Sequence, residues 1–358
     1  MAVNEALSLK YKPDLENTRR YWDAFWNHEI IDRPCTIIRA KRTDNAVEAP
    51  RLQAVTADFR QTFDKFDSFL ESHSFLGECI PGFRPGFGPD QMAGFLGAPI
   101  VISRDSDDTS WSEKIVEDWK DFLPLKLDEN NQTWQRMKQF HAAAAEHYKG
   151  KCLIYNIDLH SNIDTLEALR GAQKLLFDLI DQPEVIAEAM DQVRPLYMKI
   201  YNELHEFGNK KHLGTNSDIH FYSRGKTDYI QADFICLLSP DMFRKFVLPA
   251  IEEEAQFLDN SCFHLDGPDA LKHLDDILTI EQISLIQWVP GAGNKPAYDW
   301  PDVIHKIQAA GKATVFYGNC DEIKAVHGRY KPELLVYDVQ AESEAQGLDL
   351  LDWLKKHT

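Results

Sequence analysis

The sequence predicts an α/β protein: a single (β/α)8 TIM barrel over residues 33–358, preceded by an N-terminal helical extension over 1–32. Three observations predict it. Apolar and β-branched runs recur near residues 36, 77, 155, 216, 263, 287, 315 and 336, and amphipathic segments separate most of them. Right-handed crossovers carry the last strand of such a series back beside the first, which closes a barrel. The 358 residues, 44% hydrophobic and 27% charged, suit one large core rather than two domains.

In chain order, residues 14–28 place Leu15, Tyr21, Trp22, Phe25 and Trp26 at helical spacing, so an aromatic-faced helix precedes a first strand at 34–38. A charged amphipathic helix is expected over 51–71, and β character resumes over 75–80. Residues 81–90 carry too much glycine and proline for a regular element and read as a loop that serves a site. Residues 100–125 form a peripheral excursion, 134–148 a helix and 152–158 a buried strand. Asp164 and Glu167 have the spacing of a capping box, with the helix they open continuing through 176–180. Pro183 opens another helix that ends near Gly208. A strand over 213–221 and a basic-polar loop over 223–231 follow. Ser239, Pro240 and Asp241 supply a cap, a first-turn proline and an acid at the positive end of a helix that Pro249 bends. The cycle then repeats, with strands at 284–289, 314–317 and 334–339 and helices at 302–310 and 348–357.

The net charge of -18, from 39 basic and 57 acidic residues, makes nucleic acid and anionic membrane poor partners. No eighteen-residue apolar run and no N-terminal signal pattern occur, which predicts a cytoplasmic protein. The six cysteines stand singly, without CxxC pairs, and read as reduced thiols.

Chemistry concentrates where an apolar run ends in Ser261-Cys262-Phe263-His264-Leu265-Asp266-Gly267-Pro268. Residues two apart on a strand share a face, so His264 and Asp266 project together from a strand end, where barrel active sites are built. Asp218, His220 and Tyr222 repeat that period on the preceding strand. His264, Asp266, Asp218 and His220 are the expected catalytic groups. Tyr222, Trp288, Arg84, Glu78, Asp158 and His160 are expected to bind substrate, with Trp288 able to stack on an aromatic ring.

The ordered series Leu169-Arg170-Gly171, then 175–184, then Leu238-Ser239-Pro240-Asp241-Met242-Phe243 through Pro249, then His264-Leu265-Asp266-Gly267 resembles the uroporphyrinogen decarboxylase-like superfamily. Gln91 to Ala98 resembles that superfamily's early Leu-Gly signature, and the likeness spans roughly 15–355. The resemblance implies a TIM barrel and places the chain near the cobalamin- and corrinoid-dependent methyltransferases. In the thiol-directed members a His-x-Cys and a later cysteine bind zinc. Here His264 matches, Asp266 stands at the first cysteine, and Cys320 is the replacement for the second. A His/Asp/Cys set is acceptable to zinc and harder than Cys₂His.

The decarboxylase pattern requires an arginine-rich mouth. Arg39, Lys41, Arg42 and Arg84 do not reproduce its signature. The resemblance therefore implies a methyltransferase that moves a methyl group from a small methylated donor, of the methoxylated aromatic or methylamine type, to a corrinoid protein. A decarboxylase on another substrate and a non-catalytic corrinoid-protein-binding barrel are the alternatives. A homodimer is allowed for.

Overall fold

The computed structural model describes residues 8–50, 58–103 and 109–358. Strands β1 (Cys35–Lys41) and β2 (His73–Gly77) open the fold, followed by the short β3 (Gly82–Phe83). A hairpin of β4 (Ile100–Ile102) and β5 (Ser110–Ser112) lies in the expected peripheral excursion. After β6 (Leu153–Ile154), β7 (Thr215–Asn216) and β8 (Tyr222–Ser223) come five full strands. These are β9 (Thr227–Gln231), β10 (Asn260–Asp266), β11 (Ile283–Val289), β12 (Ala313–Asn319) and β13 (Leu335–Ala341).

Seven strands form one sheet in the order β2-β1-β13-β12-β11-β10-β9. All its pairings are parallel except β2 with β1. The last strand does return beside the first: Cys35 pairs with Val336 and Ile38 with Val339. β3 and β6 make a separate parallel pair, and Asn156 N–H donates to Asn216 O at 2.9 Å, extending that pair toward β7. The architecture is barrel-like, without one closed ladder among the described residues.

Three expectations are corrected. The strand near 77 runs antiparallel, because the helix Phe59–Ser72 passes into β2 at His73 with no connection to reverse the chain. Residues 51–57 of the expected helix over 51–71 lie outside the described residues. The strand near 216 is two residues long and pairs antiparallel with β8, while the expected loop over 223–231 contains β9, a full member of the sheet. Every residue of β9 is buried, and its polar groups are satisfied there: Thr227 Oγ1 donates to Asn260 O at 2.7 Å, and Asn156 Nδ2 donates to Asp228 Oδ2 at 3.2 Å. Its polarity is that of a hydrogen-bonded interior, not of a surface loop.

Local signals hold at the helix ends with two exceptions. Ser239 Oγ accepts from Met242 N at 3.2 Å, and a π turn over Phe243–Val247 precedes Pro249, which has no backbone donor to continue the ladder. Asp164 caps nothing on its own helix. That helix, Asn162–Arg170, begins ahead of it, and Asp164 instead accepts from Asp233 N at 2.8 Å and Phe234 N at 3.0 Å. The helix also stops at Gly171, whose φ of 88° turns the chain before Ala172–Asp181 begins.

The helix Leu15–Trp26 is fastened through its tryptophans: Trp22 Nε1 donates to Glu78 O at 3.1 Å and Trp26 Nε1 to Tyr222 O at 2.7 Å. At β3 a glycine is required, since a Cβ on Gly82 would sit 1.8 Å from the Tyr155 ring.

Glu78, expected to bind substrate, is a structural tie. Its carboxylate accepts from both terminal nitrogens of the Arg33 guanidinium, at 2.6 and 2.9 Å, and from Thr36 N at 2.8 Å. Both side chains are buried, so removing one partner strands the other's charge. Glu78→Gln is expected to destabilise the protein by about 3–5 kcal/mol in denaturant unfolding. A loss under about 1 kcal/mol would show the pair to be incidental.

Candidate functional site

Alternation along β10 turns Phe263 and Leu265 into the apolar core and sets Cys262, His264 and Asp266 on the other face. β10 and β11 are in register at His264 and Gln287, and the two side chains meet: His264 Nδ1 lies 2.6 Å from Gln287 Oε1. Gln287 Nε2 in turn donates to the Tyr317 hydroxyl at 2.6 Å. With its nitrogen committed to Tyr317, the amide offers its oxygen to the imidazole. Nδ1 then carries the proton and Nε2 is left as a lone-pair donor.

Nε2 faces the Asp233 Oδ1 atom at 3.9 Å. Asp233 begins the short helix Asp233–Leu237 directly after β9, where the Asp164 carboxylate holds its backbone. Ligand atoms of Asp233, His264 and Asp266 all fall within 4.8 Å of one another, and so do those of His160, Asp164 and Asp233. Asp233 belongs to both sets. Its Oδ1 is buried without a hydrogen-bond partner, and burial, with Asp164 beside it, pushes the carboxyl up to about 6.

An orphaned buried oxygen, a second carboxylate and an imidazole oriented by its other nitrogen fit a divalent cation such as zinc. Cys320, the expected third ligand, is not in this set. It is the first residue of the helix Cys320–Val326, with its Sγ 3.9 Å from Gln346 O, and no metal-ligating group among the described residues contains it.

His160 stands between two carboxylates, Nε2 at 3.4 Å from Asp158 and Nδ1 at 3.3 Å from Asp164. Burial works against its charge, but those two carboxylates prevail and raise it to about 10. Asp158 also accepts from the Tyr229 hydroxyl at 2.7 Å and from Gln231 Nε2 at 2.6 Å. Burial disfavours its charge too, yet His160, Tyr229, Arg84 and Gln231 together hold it below the usual carboxylate range.

The Tyr229 hydroxyl also lies 3.4 Å from Asp218, which forms a two-point ion pair with Arg84. There the balance reverses: burial first, then Asp158, push Asp218 up to about 6 in spite of Arg84. Two carboxyls on one phenol are thus shifted in opposite directions, which makes Asp218 the more readily protonated of the two.

His220 adopts φ 73° and stacks its polar edges between Arg39, with Nη1 to Nε2 at 2.8 Å, and Asp338, at 3.0 Å from Nδ1. Burial and the arginine keep it below the usual imidazole range. Arg39 Nη2 reaches Asp338 at 2.6 Å. Arg39, Arg84 and His220 are among the residues that line a cleft of about 1050 Å³.

Two expected binding residues lie elsewhere. The Tyr222 hydroxyl donates to Leu213 O at 2.7 Å, because the turn at His220 breaks the period that would have aligned it with Asp218. Trp288 is on the face of β11 opposite Gln287, buried and edge-on to Trp300 at 5.4 Å. The sequence reading missed Asp233, Gln287, Tyr229 and Tyr317. Gln287 had a signal, since it occupies the site-facing parity of a strand whose next residue was singled out.

The pairing of His160 sets a pH dependence. Its folded value lies above its unfolded one, so its contribution to stability is complete below about 6.5 and is lost as pH rises toward 10. Unfolding free energy is expected to fall over that window by one proton's worth of slope, and His160→Gln is expected to remove the slope. A neutral His160 ring at pH 7 in nuclear magnetic resonance spectra would contradict this.

No family model matches the chain, and no curated protein matches it. Among solved structures it is similar to a methyltransferase from Methanosarcina mazei, with a TM-score of 0.61 and 14% identity. The likeness covers 95% of this chain and 98% of that one, and at this identity it is a likeness of fold.

Proposed function

We propose that the protein is a methyltransferase that moves a methyl group from a small methylated donor to a corrinoid carried by a partner protein. The observation that carries the proposal is the Asp233, His264 and Asp266 set at the strand ends of a scaffold shared with a methyltransferase. We assign the scaffold itself to the (β/α)8 type, with β1, β3, β6 and β9 to β13 as wall strands; the parallel pairing of β3 with β6 supports this.

Zinc held by these three side chains would supply a Lewis acid at the donor's heteroatom, which is otherwise a poor leaving group. The chain's own groups divide the remaining work. Gln287 fixes the His264 tautomer and ring plane. Asp218, ionised against Arg84 and pushed up to about 6 by burial, takes up a proton and relays it to the departing heteroatom, and Asp158 anchors Tyr229 beside it. As the methyl group leaves, the bonding electron pair stays on the heteroatom, which takes that proton.

Elemental analysis is expected to find about one zinc per chain, and methyl transfer from a donor panel to a corrinoid acceptor is expected to be visible in the acceptor's absorption spectrum. His264→Ala should cost at least ~100-fold in transfer, and Gln287→Leu ~10–100-fold in metal affinity. Metal-free protein whose transfer is unchanged by His264→Ala would overturn the proposal.

A further inference from the structure

Arg84 is clamped from one side only. Nε and Nη2 engage buried Asp218, while Nη1 has no hydrogen-bonding partner among the described residues, and the side chain is 51% exposed where it lines the cleft. Arg39, which also lines it, is fixed by Asp338 and His220. Phe66, Phe69 and Phe75 line the same cleft, Phe75 as the residue opposite Arg39 across the β1–β2 pair, and Lys65 adds a third cation to the lining. Among the described residues that line it, Glu48 is the sole carboxylate, and it is exposed.

We propose that this cleft binds an aromatic carboxylate, its anionic group on the open edge of Arg84 with Arg39 behind and its ring against Phe66, Phe69 and Phe75. The inference rests on reading the protein as an enzyme of small methylated donors, and it selects among them.

The physical reasons are specific. A guanidinium pre-positioned by a side-on carboxylate retains a donor edge whose geometry suits a second carboxylate, and it loses little freedom on binding it. Aromatic walls favour a planar ring over an aliphatic chain of equal charge. A methylammonium donor meets the opposite field: two arginines face it, and the acids beside them, Asp218 and Asp338, are already paired. The volume of about 1050 Å³ exceeds what a substituted benzoate fills and leaves one side open to the acceptor.

Titration calorimetry on the metal-free full chain tests this without any methyl transfer. The probes are para-methoxybenzoate, para-methoxybenzamide and para-methoxybenzylamine, which share shape and differ in charge. The benzoate is expected to bind at least about tenfold more tightly than the amide, with no detectable binding of the amine. Arg84→Gln should abolish that preference, while Phe69→Ala should weaken benzoate and amide together. Should Arg84→Gln fail to fold, the ligand series on the unaltered protein still decides.

Equal affinity for benzoate and amide, preference for the amine, or no binding of the benzoate would overturn the proposal. Because neither metal nor acceptor is present, such a result would leave the methyltransferase reading standing. Tight benzoate binding in a protein that transfers no methyl group would do the reverse.

Discussion

Charge placed inside a sheet must be paired, and that requirement organises this protein from the base of its first strand to the mouth of its cleft. Arg33 with Glu78, Arg39 with Asp338 and Arg84 with Asp218 each set a cation against a buried carboxylate. His160 is shared between Asp158 and Asp164. Removing the cation would leave each buried carboxylate desolvated and uncompensated, so the pairs fix geometry far more than they raise stability. Asp164 shows the economy of the arrangement. One carboxylate pairs with His160 and accepts the backbone donors that start the Asp233 turn.

Within this paired framework a few groups are left unbalanced. Asp233 Oδ1 has no hydrogen-bond partner, His264 Nε2 faces it across 3.9 Å, and Arg84 Nη1 lacks a partner among the described residues. Groups held rigidly yet unsatisfied are where ligands gain the most, because the protein has already met the cost of ordering them. The two sets also differ in chemistry. Asp233, His264 and Asp266 offer oxygen and nitrogen to a cation, while Arg84 and Arg39 offer donors to an anion. Tyr229 connects them, its hydroxyl on Asp158 and Asp218 and its ring 6.3 Å from that of His264.

Much of this was visible in the residues. The period of two at His264 and Asp266, the Ser239 cap and the recurrence of apolar runs depend on local spacing, which sequence displays directly. What stayed hidden depends on distant partners. Asp233 precedes His264 by a whole helix, and nothing near it in sequence marks it as a ligand. Glu78 looks like a rim carboxylate until Arg33 is placed beside it. Thr227–Gln231 reads as a loop because its Asp, Thr and Gln find their partners on other strands. A positive φ at His220 shifts Tyr222 out of a period that sequence alone would continue. The unlike fate of Cys320 has the same origin, since its thiol points to a neighbouring helix rather than to the sheet's mouth.

The central claim of the proposed function is that the metal centre is built from carboxylate oxygen and imidazole nitrogen, supplied by Asp233, His264 and Asp266. X-ray absorption at the zinc edge of the zinc-loaded protein reads that shell directly. The account predicts only light scatterers at about 2.0–2.2 Å, including one imidazole. A sulfur shell at about 2.3 Å would contradict it and return a cysteine to the site.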